Sequence, residues 1–236
     1  MGIAYNPKVI TDGLVLALDA GNTKSYPGSG ATWTDLSGNG NNGSLVNGVG
    51  YNGSNLGALV FDGSDDYVDC GNDSSLSFGS GNFNLSLWIK TSSTSGVDWM
   101  GVISKYSGGT GLWIQLNPSN RYVGFGWDGN NFMTSSTSVA SGTWRYISCQ
   151  RTSSTGGEIY VDGNLVMTSS SLPTKSSDTA VQLDIGRINI SGRNFNGNIA
   201  SVKIYNRALT STEIQQNFKN NVRTKKLRNL FTHRDR

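Results

Sequence analysis

Apolar residues recur along this chain in short runs that alternate with polar ones, each run closed by Gly, Asn, Asp or Ser. A period of two residues is the signature of strands, so the pattern predicts many antiparallel strands joined by turns. The clearest run is FNLSLWIK, where Phe83, Leu85, Leu87 and Ile89 face one way and Asn84, Ser86, Trp88 and Lys90 the other, predicting a sheet with one buried face. Comparable runs span Leu14–Asp19, Ala58–Asp62, Tyr67–Cys70, Val102–Tyr106, Leu112–Leu116, Tyr122–Trp127, Trp144–Arg151, Val181–Arg187 and Ala200–Tyr205. In EIYVDGNLVM, Asp162-Gly163 supplies the positive φ of a tight hairpin turn. One helix is predicted from Thr210, where Thr210 and Glu213 have capping-box spacing and Ile214 and Phe218 stand four apart. The stretches Ser92–Asp98, Ser135–Gly142 and Ser169–Ser177 read as surface loops. The expectation is an all-β chain, two packed antiparallel sheets with one short C-terminal helix.

Composition supports this, because 31 Gly, 32 Ser, 25 Asn and 19 Thr among 236 residues leave few helix formers. No repeat of 20–50 residues is visible, which disfavours solenoids and propellers. No apolar run approaches a membrane span, and the first residues lack a basic region followed by an apolar core, so neither membrane nor secretion is expected. Cys70 and Cys149 are too few for a disulfide framework and read as buried free thiols. His233 is the sole histidine, which excludes His-dependent catalysis and His-based metal sites. The formal charge of +3 conceals an asymmetry. Residues 219–236 hold seven basic side chains against Asp235, a tail of +6, and leave the body at −3, which argues against nucleic acid as a partner.

Seven segments in order, LVLALDAGN, TWTDLSGNGNNGSL, ALVFDGSDDYVDC, FNLSLWIKTSS, TWRYISCQRTSSTGGEIYVDGNLV, LDIGRI and FNGNIASVKIYNRALTSTEIQQNF, resemble the concanavalin A-like lectin/glucanase superfamily in its laminin-G-like branch. The resemblance implies a jellyroll over residues 13–218, preceded by an N-terminal arm (1–12) and followed by the basic tail (219–236). The LDAGN and DLSGNGNNG segments are similar to those of tail, fibre or capsid-associated proteins of tailed bacteriophages. That resemblance implies a structural protein of the virion, made in the host cytoplasm, present in symmetric multiple copies and in contact with other capsid or tail subunits. A free carbohydrate-binding lectin of a cellular organism is the alternative.

Candidate chemistry narrows the field further. Glycosidase relatives on this fold use paired carboxylates, whereas this chain has two glutamates, Glu158 before the hairpin and Glu213 at the helix cap, so no enzyme is expected. The Gly- and Asn-rich turns offer hard oxygen ligands for calcium from Asp35, Asn39, Asn41, Asp62 and Asp65. The resemblance adds Asp19 on the first strand, although Ala200 and Ser201 occupy the place of its usual acidic counterpart. The alternative for all of these is that Asn, Asp and Gly set turns. Glycans stack on aromatic faces, and Trp33, Asp98, Trp99, Trp127, Asp128 and Asn130 are the candidate contacts. Trp88, Trp113, Trp127 and Trp144 lie inside alternating strands and therefore also fit packing positions. In the tail, Leu227, Leu230 and Phe231 at helical spacing with Arg223, Lys225, Lys226 and Arg228 fit an anchor to a partner, or else a solvated end.

Overall fold

The FNLSLWIK run forms the strand β7 (Phe83–Lys90) at the middle of a sheet, with β12 (Arg145–Arg151) on one side and β16 (Asn196–Tyr205) on the other. The computed structural model describes residues 9–54, 57–91, 98–107, 109–127, 132–174, 181–190 and 192–220. β16 is long enough to pair along one edge with two strands in succession, β5 (Ala58–Asp62) through Asn196–Ile199 and β1 (Leu14–Asp19) through Ser201–Tyr205. The sheet is completed by β4 (Gly50–Asn52), β13 (Gly157–Val161) and β14 (Asn164–Ser169), in the order β14-β13-β12-β7-β16-β5-β4.

The second sheet has the order β11-β10-β9-β8-β15-β6-β3-β2. Its strands are β2 (Thr32–Trp33), β3 (Gly43–Val46), β6 (Tyr67–Asp69), β8 (Met100–Ser107), β9 (Thr110–Leu116), β10 (Tyr122–Trp127), β11 (Phe132–Ser138) and β15 (Asp184–Ile185). Among the described residues, every strand pairing in both sheets is antiparallel. The inner faces meet in a dry core that includes Leu85, Leu87 and Ile89 from β7, Leu112, Ile114 and Leu116 from β9, and Phe125 and Trp127 from β10. Period-two alternation on both sheets is what makes this sandwich close.

The Asp162-Gly163 turn is as predicted, with φ of 51° and 79° and Val161 paired to Asn164. The helix α1 (211–220) is also where the capping box placed it. Thr210 Oγ1 accepts from the Glu213 amide at 3.2 Å and Glu213 Oε2 accepts from the Thr210 amide at 2.8 Å.

One expectation is corrected here, because β7 is buried on both faces. The helix lies over the outer face of the first sheet, and Trp88, Tyr146, Tyr160, Tyr205, Leu209 and Ile214 form a second, smaller core beneath it. Phe218 stacks on Trp88 at 5.7 Å. The polar outward positions of β7 are satisfied within this layer: Asn84 donates to Ser148 and Gln150, and Gln150 exchanges two hydrogen bonds with the Leu209 backbone. A strand pattern cannot report a helix that arrives more than a hundred residues later. Residues 9–12 are tied to this layer too, with the Tyr205 hydroxyl donating to the Ile10 carbonyl and Asp12 paired to Arg207.

Two further expectations change. Ser135–Gly142 was predicted as loop, yet β11 runs to Ser138, since Met133 and Ser135 point inward and the Ser135 hydroxyl accepts from the Val123 amide at 3.1 Å. The predicted strand Val181–Arg187 contracts to Asp184–Ile185, where the chain crosses between β6 and β8. Cys70 and Cys149 are buried free thiols, and burial pushes both above the ordinary thiol range.

The helix cap makes a pH prediction. Bidentate hydrogen bonds from Arg207 hold the Glu213 carboxyl at about 2. A depressed folded pKa stabilises the fold fully above the ordinary glutamate range, and that contribution disappears as pH falls through about 2. With its carboxylate partly solvated, Glu213→Gln is expected to cost about 1–2 kcal/mol at pH 7. Urea unfolding should show the gap between the two proteins largely closed at pH 2.

Candidate functional site

The outer face of the second sheet is not covered by the helix. Four strands bring two transverse rows of residues together on it. One row runs Ser104 (β8), Trp113 (β9), Gly126 (β10), Phe132 (β11), and the next runs Gly101, Gln115, Gly124, Thr134 on the same strands. β10 turns Val123, Phe125 and Trp127 into the core, so its outward positions between these rows are Gly124 and Gly126. The two glycines bring no side chain of their own, and the shallow groove they mark is filled by its walls, Trp113 and Gln115 on one side and Phe132 and Thr134 on the other, so that both glycines are buried. A Cβ at Gly124 would touch Gln115 Cγ at 3.4 Å and Phe132 Cδ2 at 3.6 Å, which measures how closely the walls approach.

Three rings shape one end of the groove. Trp113 and Phe132 meet across Gly126 with centroids 5.2 Å apart, and Trp99 packs edge-on against Phe132 at 5.4 Å. Trp113 is 4% exposed, so it supports the others, whereas Phe132 is 37% exposed and Trp99 is half-buried. Solvent-facing rings held by a buried one make a rigid apolar platform. The Asp98–Trp99 segment is fixed from below by Arg121, whose Nη1 donates to the carbonyls of Asp98 and Asn117, both at 3.1 Å.

The other end is bounded by a segment, described at 187–190 and 192–194 and closed by a bridge between Arg187 and Asn194. It crosses β8 over Gly101, where a Cβ would stand 2.3 Å from the Ile188 nitrogen and 2.6 Å from the Arg193 carbonyl oxygen. The Ser104 hydroxyl donates to the Arg187 carbonyl at 3.0 Å. This close approach lets Arg193 reach down to the groove, where its Nη1 donates to Gln115 Oε1 at 3.1 Å. Arg187 itself faces the other way, paired to the buried Asp184 and lying over the Tyr67 ring. Burial pushes the Asp184 carboxyl up, and the Arg187 and Gln182 hydrogen bonds pull it back.

Of the predicted glycan contacts, Trp99 and exposed Asp98 are at this groove. Trp33 and Trp127 are not: both are 0% exposed in the sandwich core, and the Trp127 Nε1 donates to the Pro173 carbonyl. Packing wins because each stands on the inward register of its strand. Trp88 and Trp144 join the layer under the helix. Asp128 and Asn130 lie outside the described residues, as do Arg223, Lys225, Lys226, Leu227, Arg228, Leu230 and Phe231 of the tail.

The predicted calcium ligands separate into three places. The Asp35 carboxylate is occupied by the amides of Ala17, Ser37 and Asn41 and the Ser37 hydroxyl, and Asn39 and Asn41 donate to the Leu14 and Val15 carbonyls, so these three build a loop. Asp19 caps the Gly21 amide and faces Ser201 in register, which gives one carboxylate where two acids are needed. Asp62 and Asp65 do come together, with Asp66 as a third member unforeseen as a ligand, their carboxylate oxygens within 4.8 Å of one another. That donor set has the hard-oxygen chemistry of a divalent cation site, and these three would hold the ion. Burial, with the charges of Asp62 and Asp65, raises the Asp66 carboxyl, against a hydrogen bond from the Asp62 amide that lowers it. A cavity of about 220 Å³ adjoins Asp65, lined also by Asn47, Ser64, Arg187, Ile190 and Asn194.

Sequence reasoning missed Phe132, Trp113, Gln115 and Arg193. A signal was present in YVGFGW, where glycines alternate with core residues and so mark an outward face with no side chain of its own.

Two antiparallel eight-stranded sheets with an aromatic groove on one outer face define a lectin-like jellyroll. The chain belongs to the concanavalin A-like lectin/glucanases superfamily, whose Laminin_G_3 family model matches residues 62–215. Among solved structures, the binding domain of Paraclostridial Mosquitocidal Protein 1 is similar at TM-score 0.71 and 17% identity, over 88% of this chain and 52% of that one. The binding domain of botulinum neurotoxin DC in complex with rat synaptotagmin II is similar at TM-score 0.68 and 17% identity, over 90% of this chain and 52% of that one. The chain thus spans about half the length of these toxin domains. Domain 4 of AbnA, a GH43 extracellular arabinanase from Geobacillus stearothermophilus, in complex with arabinotriose, is similar at TM-score 0.64 and 17% identity over 86% of this chain and 96% of that one. No curated protein matches the sequence. At this identity the likenesses establish the fold alone.

Proposed function

We propose that the chain is a non-enzymatic glycan-binding jellyroll, carried in multiple copies as a structural part of a bacteriophage particle. The observation that carries the binding function is the platform of Trp99 and Phe132, propped by Trp113 beside Gly124 and Gly126. An aromatic face with polar groups at its rim is what a sugar ring requires, apolar C–H against the ring and hydroxyls toward the amides. The likeness to a domain bound to arabinotriose supports this reading. Lack of catalysis is supported by where the two glutamates lie. Glu158 accepts from Gln150 and Tyr160 on the helix-covered face of the first sheet, and Glu213 caps the helix, so no pair of glutamates flanks the groove. The virion role is supported by the LDAGN and DLSGNGNNG segments and by the +6 tail, a suitable electrostatic anchor for an acidic neighbour.

The near-complete coverage of the arabinanase domain favours a second reading, a sugar-capturing module of cellular origin. Mass spectrometry of purified phage particles, together with a glycan array probed with the 25.2 kDa chain, separates the two. High copy number in particles and binding on the array are expected. Array binding by a monomer absent from any particle would leave the cellular module, and an array without binding would end the glycan reading.

A further inference from the structure

The ligand class of the groove is written in the arginine at its rim. Arg145, Arg187 and Arg207 are each neutralised by a carboxylate, and Arg121 and Arg151 spend themselves on backbone carbonyls. Arg193 differs. The residue is half-buried, and its side-chain hydrogen bond among the described residues goes to the neutral carboxamide of Gln115 through Nη1. A guanidinium carries five N–H donors in a fixed plane, so the rest of the fork is unused by this contact. The Asp98 carboxylate sits over Gly192, next in sequence to Arg193, yet forms no salt bridge with it. Gln115 is 2% exposed and held between Gly101 and Gly124 in register, so the acceptor that orients the guanidinium is itself immobile.

Resting on the groove being a glycan site, we propose that it selects acidic glycans, with Arg193 taking the carboxylate or sulfate of a sugar whose ring lies against Phe132 and Trp99. The geometry requires this combination. Gln115, which touches Arg193, and Phe132 both flank Gly124, so the anion position and the stacking position are one sugar apart or less. An oriented guanidinium forms charge-assisted hydrogen bonds with a planar or tetrahedral anion and gives a neutral sugar a weaker contact.

The test is titration calorimetry with pairs that differ in their acidic groups: tetragalacturonate against its methyl ester, sialyllactose against lactose, and a heparan tetrasaccharide against its desulfated form, which keeps its carboxylates. At least one member is expected to bind about tenfold more tightly than its less acidic counterpart, with the preference weakened at 1 M NaCl. The uronate and sialyl arms report a carboxylate and the heparan arm a sulfate. Arg193→Gln should abolish the preference, whereas Arg193→Lys should retain part of it, with circular dichroism confirming that both fold. Equal affinity within every pair, unchanged in Arg193→Gln, overturns the acidic preference while the groove reading stands. No binding by any sugar overturns both.

Discussion

Alanine at Trp99 or Phe132 is expected to weaken glycan binding by about 10- to 100-fold each, and the double variant to bind nothing measurable. The size follows from the geometry. Phe132 is exposed and meets the half-buried Trp99 edge-on at a centroid distance of 5.4 Å, so removing either ring also loosens its neighbour. Stability should barely change, because neither residue belongs to the sandwich core, and a Tm shift beyond about 2 °C would be out of place for such positions. Trp127→Ala is the contrasting case. It opens a cavity in the core at an expected cost of about 3–5 kcal/mol, and its loss of binding would follow unfolding. Isothermal titration beside thermal melts distinguishes the two behaviours.

The second large effect concerns Gly101. A methyl group there would meet backbone atoms of residues 187, 188 and 193, none of which can rotate away. Gly101→Ala is therefore expected to destabilise by about 2–3 kcal/mol, a Tm fall of roughly 5–10 °C, and to displace the loop that delivers Arg193. Binding should fall with it, including at temperatures where the variant is fully folded. A Gly101→Ala protein with unchanged Tm and unchanged affinity would show that the loop does not rest on β8 as described.

Much of the fold was legible in the sequence wherever one short segment contains its own explanation. β10 runs from Tyr122 to Trp127 as predicted because inward Val123, Phe125 and Trp127 suffice to define it, and the Asp162-Gly163 hairpin and the Thr210–Glu213 cap are local chemistry. The misses share a physical cause, which is that burial is decided by partners distant in sequence. The outer face of β7 looked solvated until the helix from Thr210 covered it. β11 carries Ser and Thr at most positions, so its strand character comes from pairing with β10 rather than from apolar alternation. Trp33 and Trp127 were plausible contacts by residue type, and register alone sends them inward.

The candidate site was legible only in part for the same reason. Asp98 and Trp99 stood out as a loop aromatic beside an acid. Phe132 comes from β11, where the sequence predicts no strand, Gln115 from the polar phase of β9, and Arg193 from a loop far along the chain, and sheet register is what brings them to one groove. Glycines signal such a place indirectly. Gly124 and Gly126 alternate with core residues, which costs strand stability and makes sense where something else must approach the sheet. Asp62 and Asp65, by contrast, were adjacent enough in sequence to be grouped at once, and their neighbour Asp66 completes the cluster.

A sugar is expected to lie on the outer face of the second sheet. Amide chemical-shift mapping of the labelled chain, titrated with the tightest oligosaccharide from the array, tests it most directly. The largest shifts are expected at Trp99, Gln115, Gly124, Gly126, Phe132 and Arg193, with the indole N–H of Trp99 moving and that of Trp127 still. Shifts confined to the Asp62–Asp66 turn, or to the helix-covered face around Trp88 and Phe218, would contradict it.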